Sequence, residues 1–235
     1  RSTPSNSSAA SDVYKRQAFN SYWQFYPVYR EVFIEKVYYT QLNSEKPFII
    51  DCGSNVGGAT LFFKLLYPQA EILAFEPSPS SFKLLEKNIT KNNIKNVTLQ
   101  QKALSNKKGK IKLYMPNGLS SKIITDGSDE SENYELVDST LLSEYINKKV
   151  DLLKMDVEGA EKYVIEDLEN NKKLKYIQKI MMEYHYYPSK NTLSETLKIL
   201  EKNNFAYQIE GHPKMPFTEK EEEKYLMIYA YKINT

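Results

Sequence analysis

The chain reads as an α/β protein with a mostly parallel sheet covered by helices on both faces. Three observations predict this. From residue 47 onward, short apolar runs alternate with amphipathic helical stretches, as in consecutive βα units. The runs are too short for helices and are separated by turn residues. Acids end or follow several of them, in FIID (48–51), EILAFE (71–76) and LLKMD (152–156). Burying an unpaired carboxylate is costly, so these acids belong at strand mouths, where open parallel sheets bind ligands.

Composition sets the outer limits. The 235 residues are 41% hydrophobic, enough for one well-filled core with a small appendage. A net charge of +2, with lysines scattered among acids and no basic stripe, disfavours a nucleic-acid partner. The single cysteine, Cys52, cannot form an internal disulfide and fits a reducing compartment. No apolar run approaches the roughly 18–20 residues of a membrane span, and no signal-peptide core opens the chain. The expectation is a soluble cytoplasmic protein. Oligomeric state is not readable.

Residues 1–17 are Ser-rich and aperiodic, and are expected to be disordered or non-native. Segment 18–46 carries Phe19, Tyr22, Tyr26, Tyr29, Phe33 and Val37 at helical spacing, interrupted by Pro27. It is expected to lay an aromatic face on the main domain, 47–235, and to roof its site. In that domain FIID (48–51) is a strand, 57–67 a helix and EILAFE (71–76) a strand. Ser78 and Pro79 are the N-cap and first residue of the next helix. VTLQQ (97–101) is a strand, and GKIKLYM (109–115) an antiparallel, peripheral one. The polar stretch 117–135 reads as a loop or lid. A short helix (141–146), a strand (150–155), a helix (160–169) and a strand (177–184) follow. Thr192 and Glu195 match a capping box opening another helix. Strands at 205–210 and 225–232 end the domain, joined by a long connection containing His212, a secondary site candidate.

DCGSNVGG (51–58) joins the first strand to a helix. Gly53 and Gly57 allow a tight turn and close approach of a ligand to backbone. The spacing lacks both the Gly-x-Gly-x-x-Gly of dinucleotide sites and the Lys-Ser/Thr of a P-loop, so no phosphate is expected there. Asp51 suits a ligand ammonium, and Glu76 at the tip of the second strand suits a ribose diol. A ligand with ribose and ammonium but no phosphate matches S-adenosylmethionine, with Ala103 and Leu104 against its adenine. Alternatively, the glycines only make a turn and Glu76 is a surface acid.

FIIDCGSNVGGATLFF, AFEPSPSSFKLLEKNI, LLKMDVEGAE and MMEYHYYP, in that order, resemble the FkbM family of S-adenosylmethionine-dependent methyltransferases over about residues 47–232. The resemblance implies a Rossmann-like class I methyltransferase fold, a seven-stranded mostly parallel sheet with its last strand antiparallel. It implies cofactor contacts from Asp51, Gly53, Asn55, Gly57, Glu76 and Ala103, to which Ser54, Pro77 and Asp156 are added as neighbours. It implies methylation of a hydroxyl on a sugar, glycan or secondary metabolite, with S-adenosylhomocysteine as product. N-methylation of a peptide, 2′-O-methylation of RNA and a non-catalytic cofactor-binding module are the alternatives.

Asp156 and Glu158 stand at the mouth of one strand, Glu183 and His185 at the mouth of the next. Each pair is two residues apart, so continued extended geometry would turn each to one side. Methyl transfer needs an aligned acceptor whose proton is removed. His185 or Asp156 is the candidate base, with Glu158 and Glu183 orienting. In other readings Glu158 favours a helix N-terminus and His185 is structural. Asp156, Glu183 and His185 are suitable divalent-metal ligands, but no tight spacing demands a metal and none is assigned. Lys154 could activate a hydroxyl with Asp156 or simply pair with an acid. Tyr184, Tyr186 and Tyr187 could form a ring-stacking pocket.

Overall fold

The computed structural model describes residues 18, 22–114, 122–124, 134–186, 192–211 and 224–233. The tail 1–17, Tyr187, His212 and much of 117–135 lie outside them. Strands β1 (Phe48–Cys52), β2 (Glu71–Phe75) and β3 (Val97–Gln100) are followed by four strands of a side sheet, β4 (Ala103–Leu104), β5 (Gly109–Tyr114), β6 (Lys122–Ile124) and β7 (Tyr134–Thr140). Strands β8 (Leu152–Met155), β9 (Lys179–Tyr186), β10 (Phe205–Gly211) and β11 (Lys224–Lys232) complete the main sheet, whose order is β3-β2-β1-β8-β9-β11-β10. Only β11 runs antiparallel to its neighbours. The expected seven-stranded sheet is therefore present.

All five residues of β1 are buried, as a parallel strand covered on both faces requires. Ile50 joins the main core with Leu153, Ile180 and Leu200, while Ile49 joins the opposite core with Ile72, Leu152 and Phe63. The chain grows outward from β1 to β3, then returns to β8 on the other flank of β1. The switch point falls between β1 and β8, where ligands bind in such sheets. Register there sets Asp51 beside Lys154.

Helices α1 (Tyr22–Tyr29), α2 (Gly58–Leu66), α3 (Pro79–Lys91), α4 (Glu161–Asn170) and α5 (Leu193–Lys202) cover the sheet. Ser78 caps α3 through the Ser81 amide at 3.5 Å, with Pro79 at the start, as expected. Pro27 lies inside α1, which gives way to a π-helical turn, Arg30–Glu35. This segment covers the second core: Val32 and Tyr38 are buried in it, and Phe33 meets Phe62 edge-on at 5.3 Å. No described helix is long and apolar enough to cross a membrane.

Two expectations change. Within the predicted loop 117–135, residues 122–124 form β6 and β7 begins at Tyr134, both in the side sheet with β5. The first three residues of β7 are exposed, so its hydropathy lacks a strand signature. Nor does Thr192 make a capping box: its hydroxyl meets the Tyr184 hydroxyl at 2.6 Å, and Glu195 pairs with Lys162.

A Cβ on Gly58 would lie 2.6 Å from Val28 Cγ1. Gly58→Ala should cost about 1–3 kcal/mol and raise hydrogen exchange between residues 28 and 38; unchanged exchange would contradict the packing. Lys154→Ala strands the buried Asp51 carboxylate. It should lower the unfolding free energy in urea by about 3–5 kcal/mol, and a loss below about 1 kcal/mol would show that the pair does not hold the sheet.

Candidate active site

The bend after β1 turns toward β2: the Gly53 and Ser54 amides both donate to the Phe75 carbonyl, at 3.0 and 2.8 Å. Gly53 has φ 77°, and a Cβ there would stand 1.6 Å from the Asp156 carbonyl oxygen, so the position requires glycine. Gly57 has φ 95° and ends the bend at the start of α2. Asn55 is also left-handed, with φ 48°. Ser54 spends its hydroxyl on the Asp51 carbonyl at 2.9 Å.

Glu76 is 5% exposed. Its two oxygens accept the Asn55 and Ser78 amides, each at 2.8 Å. Burial raises its pKa to about 7, against the pull of those amides and of Lys154. A carboxylate oxygen offers two acceptor positions, so each retains one. Pro77, half-buried, joins Glu76 to the α3 cap.

Asp51 lies beneath the bend rather than in the crevice. It is fully buried, its Oδ2 accepts the Thr60 hydroxyl at 2.5 Å, and its Oδ1 stands 3.4 Å from the Lys154 ammonium without a hydrogen bond. Lys154 thus supplies the positive partner that the sequence reading assigned to a ligand. The same ammonium donates to the Gly53 carbonyl at 2.8 Å, lies 3.6 Å from Asp156 Oδ2 and sits 5.3 Å from the Tyr38 ring centre. Burial works against its charge, but Asp51, Asp156 and Glu183 outweigh burial and raise its pKa. Lys154 is therefore an internal clamp on the bend.

Ala103 and Leu104 are buried in the main core, on β4 beside β7.

On the other flank the structure brings Asp156, Glu158, Glu183 and His185 together. Glu183 and His185 share one face of β9, as alternation predicts. Extended geometry does not continue past β8, because Glu158 has φ 53° and Gly159 φ 96°. That left-handed turn still delivers Glu158 Oε2 to within 3.6 Å of His185 Nε2, which lies 3.5 Å from Glu183 Oε1. The other ring nitrogen, Nδ1, is held by Glu161 Oε1 at 3.0 Å. Glu161 is buried and also accepts the Val157 and Gly159 amides, at 3.2 and 3.1 Å. Burial opposes the His185 charge, but the Glu161 hydrogen bond and the charges of Glu161, Asp156 and Glu158 outweigh it and raise the pKa. Burial and the Asp156 charge raise the Glu183 carboxyl, against His185 and Lys154.

Sequence reading missed Glu161, which looks like an ordinary first-turn acid. It also missed Glu31 and Tyr38 in the N-terminal segment. Burial and the Asp156 charge raise the Glu31 carboxyl, and burial with Asp156, Glu31, Glu183 and Asp51 raises the Tyr38 phenol. Tyr184 does not belong to a ring-stacking pocket; it is buried in the main core. The aromatic ring next to His185 is Tyr225, at 6.2 Å between centres.

Comparison with known proteins identifies the family. Residues 51–207 match the Methyltransferase FkbM domain. The chain is 31% identical over 207 residues to Methyltransferase 1 of Beauveria bassiana (strain ARSEF 2860), covering 78% of this chain and 82% of the relative. It is 31% identical over 176 residues to Methyltransferase sdnD of Sordaria araneosa, covering 60% and 68%. The crystal structure of methyltransferase FkbM from Methylobacillus flagellatus KT shares the fold, with a TM-score of 0.55 at 16% identity over 95% of this chain. The chain spans 58% of that protein's length. With its switch-point crevice and the match across most of its main sheet, the chain belongs to the FkbM methyltransferase family.

Proposed function

We propose that the protein transfers the methyl group of S-adenosylmethionine to a hydroxyl of a sugar, glycan or secondary metabolite. The observation that carries this reading is Glu76, a nearly buried carboxylate fixed by two backbone amides at the mouth of β2 with acceptor positions to spare. A ribose diol suits those positions, and the side-chain-free backbone at Gly53 and Gly57 admits a ligand close to the chain. Asn55 and Pro77 flank this half of the crevice.

S-adenosylmethionine, held by Glu76 and by the backbone at Gly53 and Gly57, would supply an electrophilic methyl group on a sulfonium that leaves as a neutral thioether. Asp156 takes the hydroxyl proton in this reading. It touches the glycine bend through its backbone, and its carboxylate remains partly open to the crevice. His185 is more enclosed and, with Glu158 and Glu183, forms the wall that holds the acceptor. Alignment of acceptor and donor supplies much of the acceleration in such a transfer.

Calorimetric titration should show S-adenosylhomocysteine binding and no NAD binding. Because Glu76 titrates near 7, affinity should tighten as pH rises from about 6 to about 8, as the carboxylate form that accepts the diol fills. Glu76→Gln should bind roughly 100-fold more weakly and lose that dependence; an unchanged affinity would remove the reading. Asp156→Ala and His185→Ala should each cut turnover by on the order of 100-fold or more, while His185→Ala keeps its S-adenosylhomocysteine affinity. Screening labelled methyl transfer against sugars, glycolipids, peptides and RNA would identify the acceptor, and full turnover in both variants would end the assignment.

A further inference from the structure

We infer that Asp156, Glu158 and His185 form a binding site for a divalent metal ion. One ligand atom from each residue lies within 4.8 Å of the others. A metal with bonds of roughly 2.1 Å holds its ligand atoms about 3 to 4 Å apart, so the three side chains need to close only slightly. They come from separate elements, the turn after β8 and the end of β9, and converge at the mouth of the sheet.

The histidine supplies a second, independent observation. Its side chain is 6% exposed, and its Nδ1 is fixed by Glu161. Nε2 therefore points into the cluster, where Glu183 Oε1 at 3.5 Å and Glu158 Oε2 at 3.6 Å stand at ion-pair distance but beyond a close hydrogen bond. A buried carboxylate holding one ring nitrogen while the other faces oxygen ligands is the usual outer support of a metal-bound histidine. Glu161 is itself anchored by the Val157 and Gly159 amides, so this support is rigid.

Two carboxylates and one imidazole suit a borderline-to-hard divalent cation such as Mn²⁺ or Zn²⁺. Three protein ligands leave positions for water or an acceptor oxygen. A cation there supplies Lewis acidity toward an acceptor hydroxyl. Occupancy depends on the side chains alone, whereas its use in this way rests on the methyl-transfer reading above.

The test uses the full chain stripped with EDTA and titrated calorimetrically with MnCl₂ alone, with circular dichroism confirming that each variant is folded. Saturable binding of one Mn²⁺ per chain is expected. It should be lost in Glu158→Gln and in His185→Ala, and weakened roughly 10–100-fold in Glu161→Gln, which leaves all three ligands in place. Absence of saturable Mn²⁺ binding, or equal affinity in folded His185→Ala, overturns the site. A parallel S-adenosylhomocysteine titration separates the two readings. Nucleoside binding without Mn²⁺ binding sinks the ion site alone. Mn²⁺ binding without nucleoside binding supports the ion site and sinks the methyl-transfer reading.

Discussion

The Lys154 ammonium is the constraint on which the rest of the crevice depends. It is almost completely buried, yet Asp51 and Asp156 stand within ion-pair distance and the Gly53 carbonyl accepts its hydrogen bond. An isolated charge so placed would lose its hydration without return. Here the carboxylates hold it charged, and one side chain ties together β1, β8 and the glycine bend. With the bend drawn inward, Gly53 reaches the Asp156 carbonyl so closely that no side chain fits between them. The acids that end the core strands thus split into two kinds. Asp51 is an internal partner of Lys154, whereas Asp156 both pairs with it and opens outward.

From that clamp the crevice divides in two. On the β2 side, Glu76 is held by amides from the glycine bend and the α3 cap, so its place follows from backbone geometry and burial. On the β8–β9 side, Asp156, Glu158, Glu161 and Glu183 crowd around His185. Burial would neutralise an imidazole, but Glu161, Asp156 and Glu158 more than compensate. Charge concentrated in so small a volume favours positive ligands.

Much of this was legible because it follows from short-range rules. Apolar runs such as FIID must be covered strands, alternation along β9 must bring Glu183 and His185 to one face, and Ser78 with Pro79 must start a helix. The misses required contacts remote in sequence. Glu161 looks like any acid near a helix start until the fold brings His185, 24 positions later in the chain, to it. Glu158 reaches the histidine through a left-handed turn, although the spacing argument relied on an extended chain. Thr192 carries a capping pattern, but the buried Tyr184 hydroxyl claims its side chain. The start of β7 is exposed, Leu136 included, so its burial gives no alternation and its pairing with β5 makes it a strand.

The N-terminal segment, outside the 51–207 span of the family match, contributes charge as well as packing. The family match starts at Asp51, yet Glu31 and Tyr38 lie within electrostatic range of Asp156 and Glu183. Both come from a stretch whose aromatic spacing announced packing and nothing about charge. That packing is tight at Gly58, where Val28 and Val32 meet the start of α2, the same helix end that closes the glycine bend. Movement of the segment would therefore alter both the roof over Lys154 and the bend beneath it. Lys154 acts electrostatically on both sides, lowering the Glu76 carboxyl on one and the Glu183 carboxyl on the other, so its charge is felt across the whole strand-end cluster.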